Sequence, residues 1–354
     1  MKTSESGRSK PTVSTRILKR IGGRRRVRER VSAVVAAILL STGRNLSLVG
    51  VFAKGLATEQ VSVVAGYYDA DSPVAHSDVT SFAHLAPNGH GVGVDLFEVA
   101  QRHGATMVIP TRDDELEYLS RHRTEFQAAG IFVSVSDAAF VDVCNDKLLT
   151  ARTFEDVDIQ SPVTWDPTRA GAPSGIGLDD DVYLKPRRGA SGMGVGRVRL
   201  RNAYAAAAQL SAPVLQAVQS GVEHTFDAYF SNSSEPMHYV CRQRRLVAGG
   251  QSVQGETVFT DRSHRFAIRV LEACGQLGAR GIINVQAFDD GTHFWLGEVN
   301  ARVASGFPLA FAAGGCYPQL IAVEAAGGRL TPRLGEYAAG VAFARGSLDV
   351  FWRR

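Results

Sequence analysis

Within Gly281–Arg302, reading GIINVQAFDDGTHFWLGEVNAR, three oxygen-bearing side chains fall at spacings that let them converge: Gln286, Glu298 and Asn300. The runs INVQAF and HFWLGEVNAR are predicted strands joined by a short turn, and residues two apart on a strand, such as Glu298 and Asn300, share a face. Their neighbours Leu296, Gly297 and Val299 are apolar or small. A glutamate and an asparagine facing into a buried sheet require a compensating cation. Hard oxygen donors with open coordination positions suit Mg²⁺, which keeps water and substrate phosphates in its shell. The cargo so implied is a nucleotide.

About a hundred residues upstream, Val182–Gly196 reads VYLKPRRGASGMGVG, an apolar strand followed by cationic residues and a glycine-rich loop. Gly189, Gly192, Gly194 and Gly196 accept positive φ and expose backbone N–H groups, and Ser191 adds a hydroxyl donor, so the loop is suited to close approach by a polyphosphate. It lies between two predicted strands, Val182–Lys185 and Arg197–Leu200, and lacks the GxxxxGK[ST] order of a Walker A loop. Lys185 ends its apolar strand beside these glycines. A lysine there is costly unless an anion meets it.

A glycine loop within a β-hairpin, followed by a late E-x-N-x-R, resembles the ATP-grasp superfamily in its carbamoyl-phosphate-synthetase-like branch. The segment Val108–Lys147, with VIPTRDDELEYL, GIFVSVSD and NDKLLTARTF, resembles the family's pre-grasp domain and its exit. Leu215–Asp227, LQAVQSGVEHTFD, resembles its adenine hinge. Together the motifs cover roughly Val31 to Gly328. The resemblance implies an ATP-grasp fold, two α+β subdomains clasping ATP, preceded by an open parallel α/β domain. It also implies that Lys147 reaches the phosphates from the side opposite the glycine loop, that backbone groups of Gln216–Val218 read the adenine edge, and that Glu223 binds the ribose. Gln286, Glu298 and Asn300 would hold Mg²⁺, and Arg302 would face the γ-phosphate or an acyl phosphate. The chain departs from the family pattern at Ala217, where an acid is usual, and at Ala301, where proline is usual. In CRQRR, strand alternation sends Arg242 and Arg244 to one face and Gln243 and Arg245 to the other. Either face could carry a guanidinium into the cleft, and Arg245 is taken as a candidate catalytic cation beside Lys185 and Arg302.

The elements needed to position these residues are legible as alternating βα punctuation. Strands are expected at Val31–Ser41, Val61–Tyr67, Val79–Leu85, Ala105–Ile109 and Ile131–Val135, with helices at Asn45–Ala57, Asp95–His103 and Asp114–Ala129. Ligands of such sheets bind beyond the strands' carboxyl ends, which points to Thr42, Gly43 and Arg44. In PTRDDE, Thr111 or Asp113 is placed to cap a helix, while Arg112, Asp113 or Glu115 could contact substrate or the neighbouring domain. The expected domains are a basic tail at 1–30, the α/β domain at 31–143, the grasp domain at 144–330 with subdomains of about 144–215 and 216–330, and an extension at 331–354.

The chain has 354 residues, 45% of them apolar, and a formal charge of +4. Residues 1–30 alone carry eleven Lys/Arg against two glutamates, which leaves the remainder at −5. The body is acidic, so no nucleic-acid surface is expected outside the tail. Four scattered cysteines without CxxC spacing argue against a zinc site or disulfide framework and fit a reducing cytosol. The apolar run Val31–Leu40 is too short to span a bilayer, so no membrane association is expected. The expected activity is ATP- and Mg-dependent joining of a small-molecule carboxylate to an amine. The alternatives are carboxylate or carbamate phosphotransfer, or a non-catalytic nucleotide-binding subunit. The acid and amine are not legible, and the oligomeric state, a homo-oligomer included, is open.

Deleting residues 2–30 should leave ATP turnover and melting temperature nearly unchanged, because a polar, highly charged segment makes few core contacts. Coupled ADP release and calorimetry on the truncated protein check this. A large drop in melting temperature would mean that the tail packs.

Overall fold

A computed structural model describes residues 37–41, 45–57, 61–78, 81–85, 96–189, 194–248 and 251–346. The basic tail, Thr42–Arg44, and Ser191 and Gly192 of the glycine loop lie outside them.

Three sheets organise the chain. The first is parallel, ordered β3-β2-β1-β4-β5, and built from β1 (Ala37–Ser41), β2 (Ser62–Tyr67), β3 (Ser81–His84), β4 (Met107–Ile109) and β5 (Phe132–Val133). Its crossovers carry helices α1 (Leu46–Leu56), α2 (Leu96–Arg102) and α3 (Asp113–Ala128). Parallel neighbours need such crossovers, and helices on the sheet explain its near-continuous apolar strands, such as the buried MVI of β4. Asn45 starts α1 by accepting the Leu48 amide at 3.1 Å. The start of α3 differs from expectation. Arg112 occupies the cap position without a side-chain cap, and Asp113 is the first helical residue with its carboxylate directed elsewhere.

Helices α4 (Ala138–Cys144) and α5 (Lys147–Glu155) lead into a four-stranded antiparallel sheet ordered β6-β9-β7-β8. It comprises β6 (Thr164–Trp165), β7 (Asp181–Pro186), β8 (Gly196–Arg199) and β9 (Pro213–Ala217), with helix α6 (Leu200–Ala207) packed on it. Trp165, Val182, Leu184, Leu200, Ala203, Ala207 and Leu215 form a small core of its own. The β7–β8 hairpin brackets the glycine loop, as the sequence predicts.

The third sheet, antiparallel in all its pairings, is ordered β14-β13-β10-β11-β12-β15. Its strands are β10 (Val222–Phe230), β11 (Pro236–Ala248), β12 (Gln251–Thr257), β13 (Gly281–Asp289), β14 (Phe294–Asn300) and β15 (Ala342–Ala344). One face packs on α7 (Asp261–Gln276), whose amino end is closed by a Thr260–Ser263 capping box. The other packs on α8 (Phe307–Ala312) and α9 (Tyr317–Ala325). Pro318 sits in the first turn of α9, where it starts the helix rather than breaking it. Residues 331–346, expected as an extension, join this sheet through β15 and through the Tyr337 hydroxyl, which donates to the Val258 carbonyl at 2.6 Å.

The parallel sheet and the six-stranded sheet share two apolar cores. Val108, Phe126 and Phe140 pack in one with Phe226, Val285 and Cys274, while Phe52 and Met107 pack in the other with Tyr229, Phe307 and Tyr317. Under the cleft face of the large sheet lies a buried ion pair, Arg242 Nε to Asp227 Oδ2 at 2.7 Å, with side-chain exposures of 3% and 0%. Asp227 is therefore taken up inside the protein by Arg242. The Asp227 carbonyl also accepts from the Tyr317 hydroxyl at 2.7 Å.

Asp227→Ala or Arg242→Ala alone should destabilise by about 3–5 kcal/mol, since each strands a buried charge, whereas Asp227→Leu combined with Arg242→Met should cost less than either single change. Denaturant midpoints of the three variants decide it. A double variant weaker than both singles would show the pair to be a net stabiliser.

Candidate active site

The metal-type residues come together through strand register. Strands β13 and β14 pair Asn284 with Asn300 and Gln286 with Glu298, so all four side chains lie on the cleft face, and a bulge after Gln286 ends this register. Asn284 was not singled out from sequence, although its two-residue offset from Gln286 is the same signal as that linking Glu298 to Asn300. Its Oδ1 accepts from Asn300 Nδ2 at 3.4 Å and from Gln286 Nε2 at 3.5 Å. These bonds turn both amide nitrogens toward Asn284, which directs the amide oxygens of Gln286 and Asn300 away from it, although Gln286 Oε1 also accepts from Arg244 Nη1 at 3.4 Å. Among the described residues the Glu298 carboxylate makes no hydrogen bond or ion pair. The free carboxylate and the Asn300 amide oxygen, joined by Gln286 Oε1 if Arg244 gives it up, are hard donors that suit Mg²⁺ with water and phosphate completing its shell. Among the described residues no group of three His, Cys, Asp or Glu side chains could hold a metal alone.

Opposite these residues stand the two lysines. Lys147 opens α5, where Asp146 caps the helix by accepting from the amides of Leu148 and Leu149 at 3.1 and 3.0 Å. Asp146 also binds Arg187 Nε through both oxygens at 2.8 Å, which fixes the helix start against β7. Lys147 Nζ donates to the Gly189 carbonyl at 2.7 Å, so this lysine holds the first residue of the glycine loop. Gly189 and Gly194 have φ of +128° and +70°, and a Cβ at Gly194 would lie 3.1 Å from Pro186 Cγ. Larger residues are strained there.

Lys185 points from β7 to Gln216 Oε1 at 2.6 Å. Burial pushes both lysines below the ordinary ammonium value, with Glu298 pulling both back up and Lys147 lowering Lys185 further. Lys147, Gln216 and Glu298 line one narrow pocket with Cys144, Thr150 and Ser161. Burial also pushes the Cys144 thiol up well above its usual range, so it stays protonated and is no nucleophile at neutral pH. Two ammonium groups against one carboxylate leave a positive balance, which attracts a polyphosphate.

The remaining candidates divide. Glu223 pairs with Arg244, whose Nη1 also lies 3.4 Å from Gln286 Oε1, so Arg244 of β11 stands next to the metal-type residues. Arg245 does not. Its side chain is exposed on the other face and pairs with Glu256 of β12, as strand alternation requires. Arg302 is held by Asp113 in a bidentate pair, both bonds at 2.7 Å, and therefore faces α3 rather than an open cleft. Asp113 thus makes the interdomain contact envisaged for PTRDDE. Val218 follows β9 directly and is half-buried at the edge of the cleft.

The family described as the ATP-grasp domain matches residues 144–306, the span that holds both lysines, the glycine loop and the β13–β14 oxygens. The chain carries an ATP-grasp domain. Solved structures place the whole architecture in the same fold. Biotin carboxylase from Campylobacter jejuni, solved with a β,γ-ATP complex, aligns at a TM-score of 0.66 and 13% identity over 87% of this chain and 74% of that one. N5-carboxyaminoimidazole synthetase from Staphylococcus aureus gives 0.65 and 12% over 86% and 80%. The biotin carboxylase domain dimer of Hydrogenobacter thermophilus 2-oxoglutarate carboxylase, solved with MgADP, ADP and bicarbonate, gives 0.66 and 15% over 86% and 72%. No curated protein sequence matches the chain. At such identities the likeness establishes the ATP-grasp fold. Among the described residues, no helix is long and apolar enough to cross a membrane.

A double-mutant cycle of Asp113→Ala with Arg302→Ala should return a coupling of roughly 0.5–3 kcal/mol in urea unfolding, because the bidentate pair is mostly shielded from solvent. Additive losses would mean that the two domains are held by their apolar cores alone.

Proposed function

We propose that this ATP-grasp protein is a cytosolic ATP- and Mg-dependent ligase that joins a small-molecule carboxylate to an amine. The carboxylate oxygen attacks the γ-phosphorus of ATP, the bond to the β-phosphate oxygen breaks, and ADP leaves. The amine nitrogen then attacks the acyl carbon, phosphate departs with the bonding pair, and the nitrogen loses a proton to solvent. The observation that carries the reading is the meeting of Lys147 and Glu298 at one pocket, with Lys185 close enough to feel the charge of both.

Gln286, Glu298 and Asn300 would hold Mg²⁺, which when bound neutralises phosphate charge. Lys147 and Lys185 bind and orient the phosphates from the helix and strand sides. The glycine loop covers them with backbone donors, and Lys147 fixes one end of that loop. Glu223 offers its carboxylate to the ribose, with Arg244 setting its direction. Backbone groups of Gln216–Val218 face the base. Arg302 stabilises the transferring phosphoryl group or acyl phosphate once its Asp113 contact is exchanged for substrate. No covalent enzyme intermediate is required, so the protein contributes mainly positioning and electrostatics. A second reading, phosphoryl transfer to a carboxylate or carbamate without amide formation, draws support from Arg302: its carboxylate partner here is Asp113, and a substrate carboxylate is the same chemical group.

With Mg-ATP and a library of carboxylic acids and amines, the protein should release ADP and phosphate, and mass spectrometry should find the amide. AMP with pyrophosphate would overturn the acyl-phosphate route. Glu298→Gln should lower turnover by on the order of a hundredfold while the fold survives, because the carboxylate is the one charged donor to the metal. Near-normal turnover of that variant would show the metal to be elsewhere.

A further inference from the structure

Gln216 enters the proposed function only through its backbone, yet its side chain is buried in the cleft, at 8% residue exposure, and sits in a directed chain of hydrogen bonds. The Thr164 hydroxyl donates to the Pro162 carbonyl at 2.8 Å. A carbonyl only accepts, so the single hydroxyl proton is committed and the Thr164 oxygen must accept from elsewhere. It does so from Gln216 Nε2 at 2.9 Å, which fixes the amide orientation and presents Oε1 to Lys185 Nζ at 2.6 Å. The chain crosses the small sheet from β6 through β9 to β7, helped by the direct pairing of Thr164 with Gln216.

Two features set this arrangement apart from an ordinary buried lysine. Its acceptor is a neutral amide, and among the described residues no carboxylate lies within ion-pair distance of Lys185. The ammonium also stands 5.2 Å from the centre of the Tyr183 ring, a contact that orients charge without cancelling it. One of three N–H bonds goes to Gln216, leaving the others for an anion. We infer that Gln216, set by Thr164, is a positioning residue that aims Lys185 at the nucleotide phosphates while leaving its positive charge uncompensated. The inference rests on the nucleotide-site reading of the cleft. A glutamate at position 216 would hold the lysine equally well in space but would neutralise it, so charge and geometry are separable by substitution.

The test measures Mg-ATP and adenosine affinities by calorimetry, with melting temperatures, for the full-length protein and its Gln216→Glu, Gln216→Met, Thr164→Val and Thr164→Ser variants. Gln216→Glu should weaken Mg-ATP binding about tenfold or more and leave adenosine binding within about twofold, since adenosine carries no phosphate. Gln216→Met and Thr164→Val should weaken Mg-ATP in the same selective way. Thr164→Ser, which keeps the hydroxyl, should recover what Thr164→Val loses. Equal losses for Mg-ATP and adenosine would make the role structural and overturn the inference, as would a Gln216→Glu protein that binds Mg-ATP like the parent. Should Gln216→Met fail to fold, the Thr164 pair decides by the same comparison. A parent protein that binds no Mg-ATP would overturn the nucleotide-site reading, and this inference with it. A parent that binds while the variants are unaffected overturns this inference alone.

Discussion

Two ammonium groups, Lys147 and Lys185, are held at one partly buried cleft near the unpaired carboxylate of Glu298, and much of the surrounding structure can be understood as the cost of keeping them there. Buried charge is tolerated only where it is hydrogen-bonded and where an anion can arrive. Lys147 is steadied by the Gly189 carbonyl and Lys185 by the Gln216 amide, both neutral acceptors. Neither bond cancels the charge. Asp146, the acidic group closest in sequence to Lys147, is paired with Arg187 and with the amides of α5, so its pull on Lys147 is shared with those partners. The cleft is left with a standing attraction for phosphate.

The same discipline governs the large sheet. Its cleft face carries Thr225, Asp227, Arg242, Asn284 and Asn300, all buried, in a setting where aliphatic residues would be the easier choice. Asp227 and Arg242 neutralise one another, and Asn284 orients the amides of Gln286 and Asn300. Polar groups in this region brace one another, so the oxygen positions are set by contacts within the protein itself. Preorganisation of this kind lowers the reorganisation needed at the moment of reaction.

Much of this was legible in the sequence because it depends on short-range rules. Period-two alternation put Glu298 and Asn300 on one face, and glycine density between two strands marked the β7–β8 loop. Strand and helix order in the first half followed from βα punctuation. What escaped was long-range pairing. Nothing local announces that Asp113 meets Arg302 across 189 positions, and helix-dipole logic favoured a capping role for that acid instead. Alternation also showed that Arg244 and Arg245 face opposite ways, but not which face meets the cleft; the Glu223 and Gln286 contacts assign it to Arg244. The side-chain role of Gln216 was hidden for a related reason: its partners Lys185 and Thr164 lie on two other strands.

The four-stranded sheet is enclosed by a core of seven residues that shares none with the two larger cores. Among its ties to the rest are the Arg187–Asp146 pair and the Lys147 amide donating to the Arg187 carbonyl at 3.0 Å. A unit with so small a core of its own is the kind that opens locally at a lower free energy than global unfolding. Because it supplies one wall of the cleft, a ligand that bridges both walls acts as mortar, and thermal unfolding should pass from two steps toward one as the site fills.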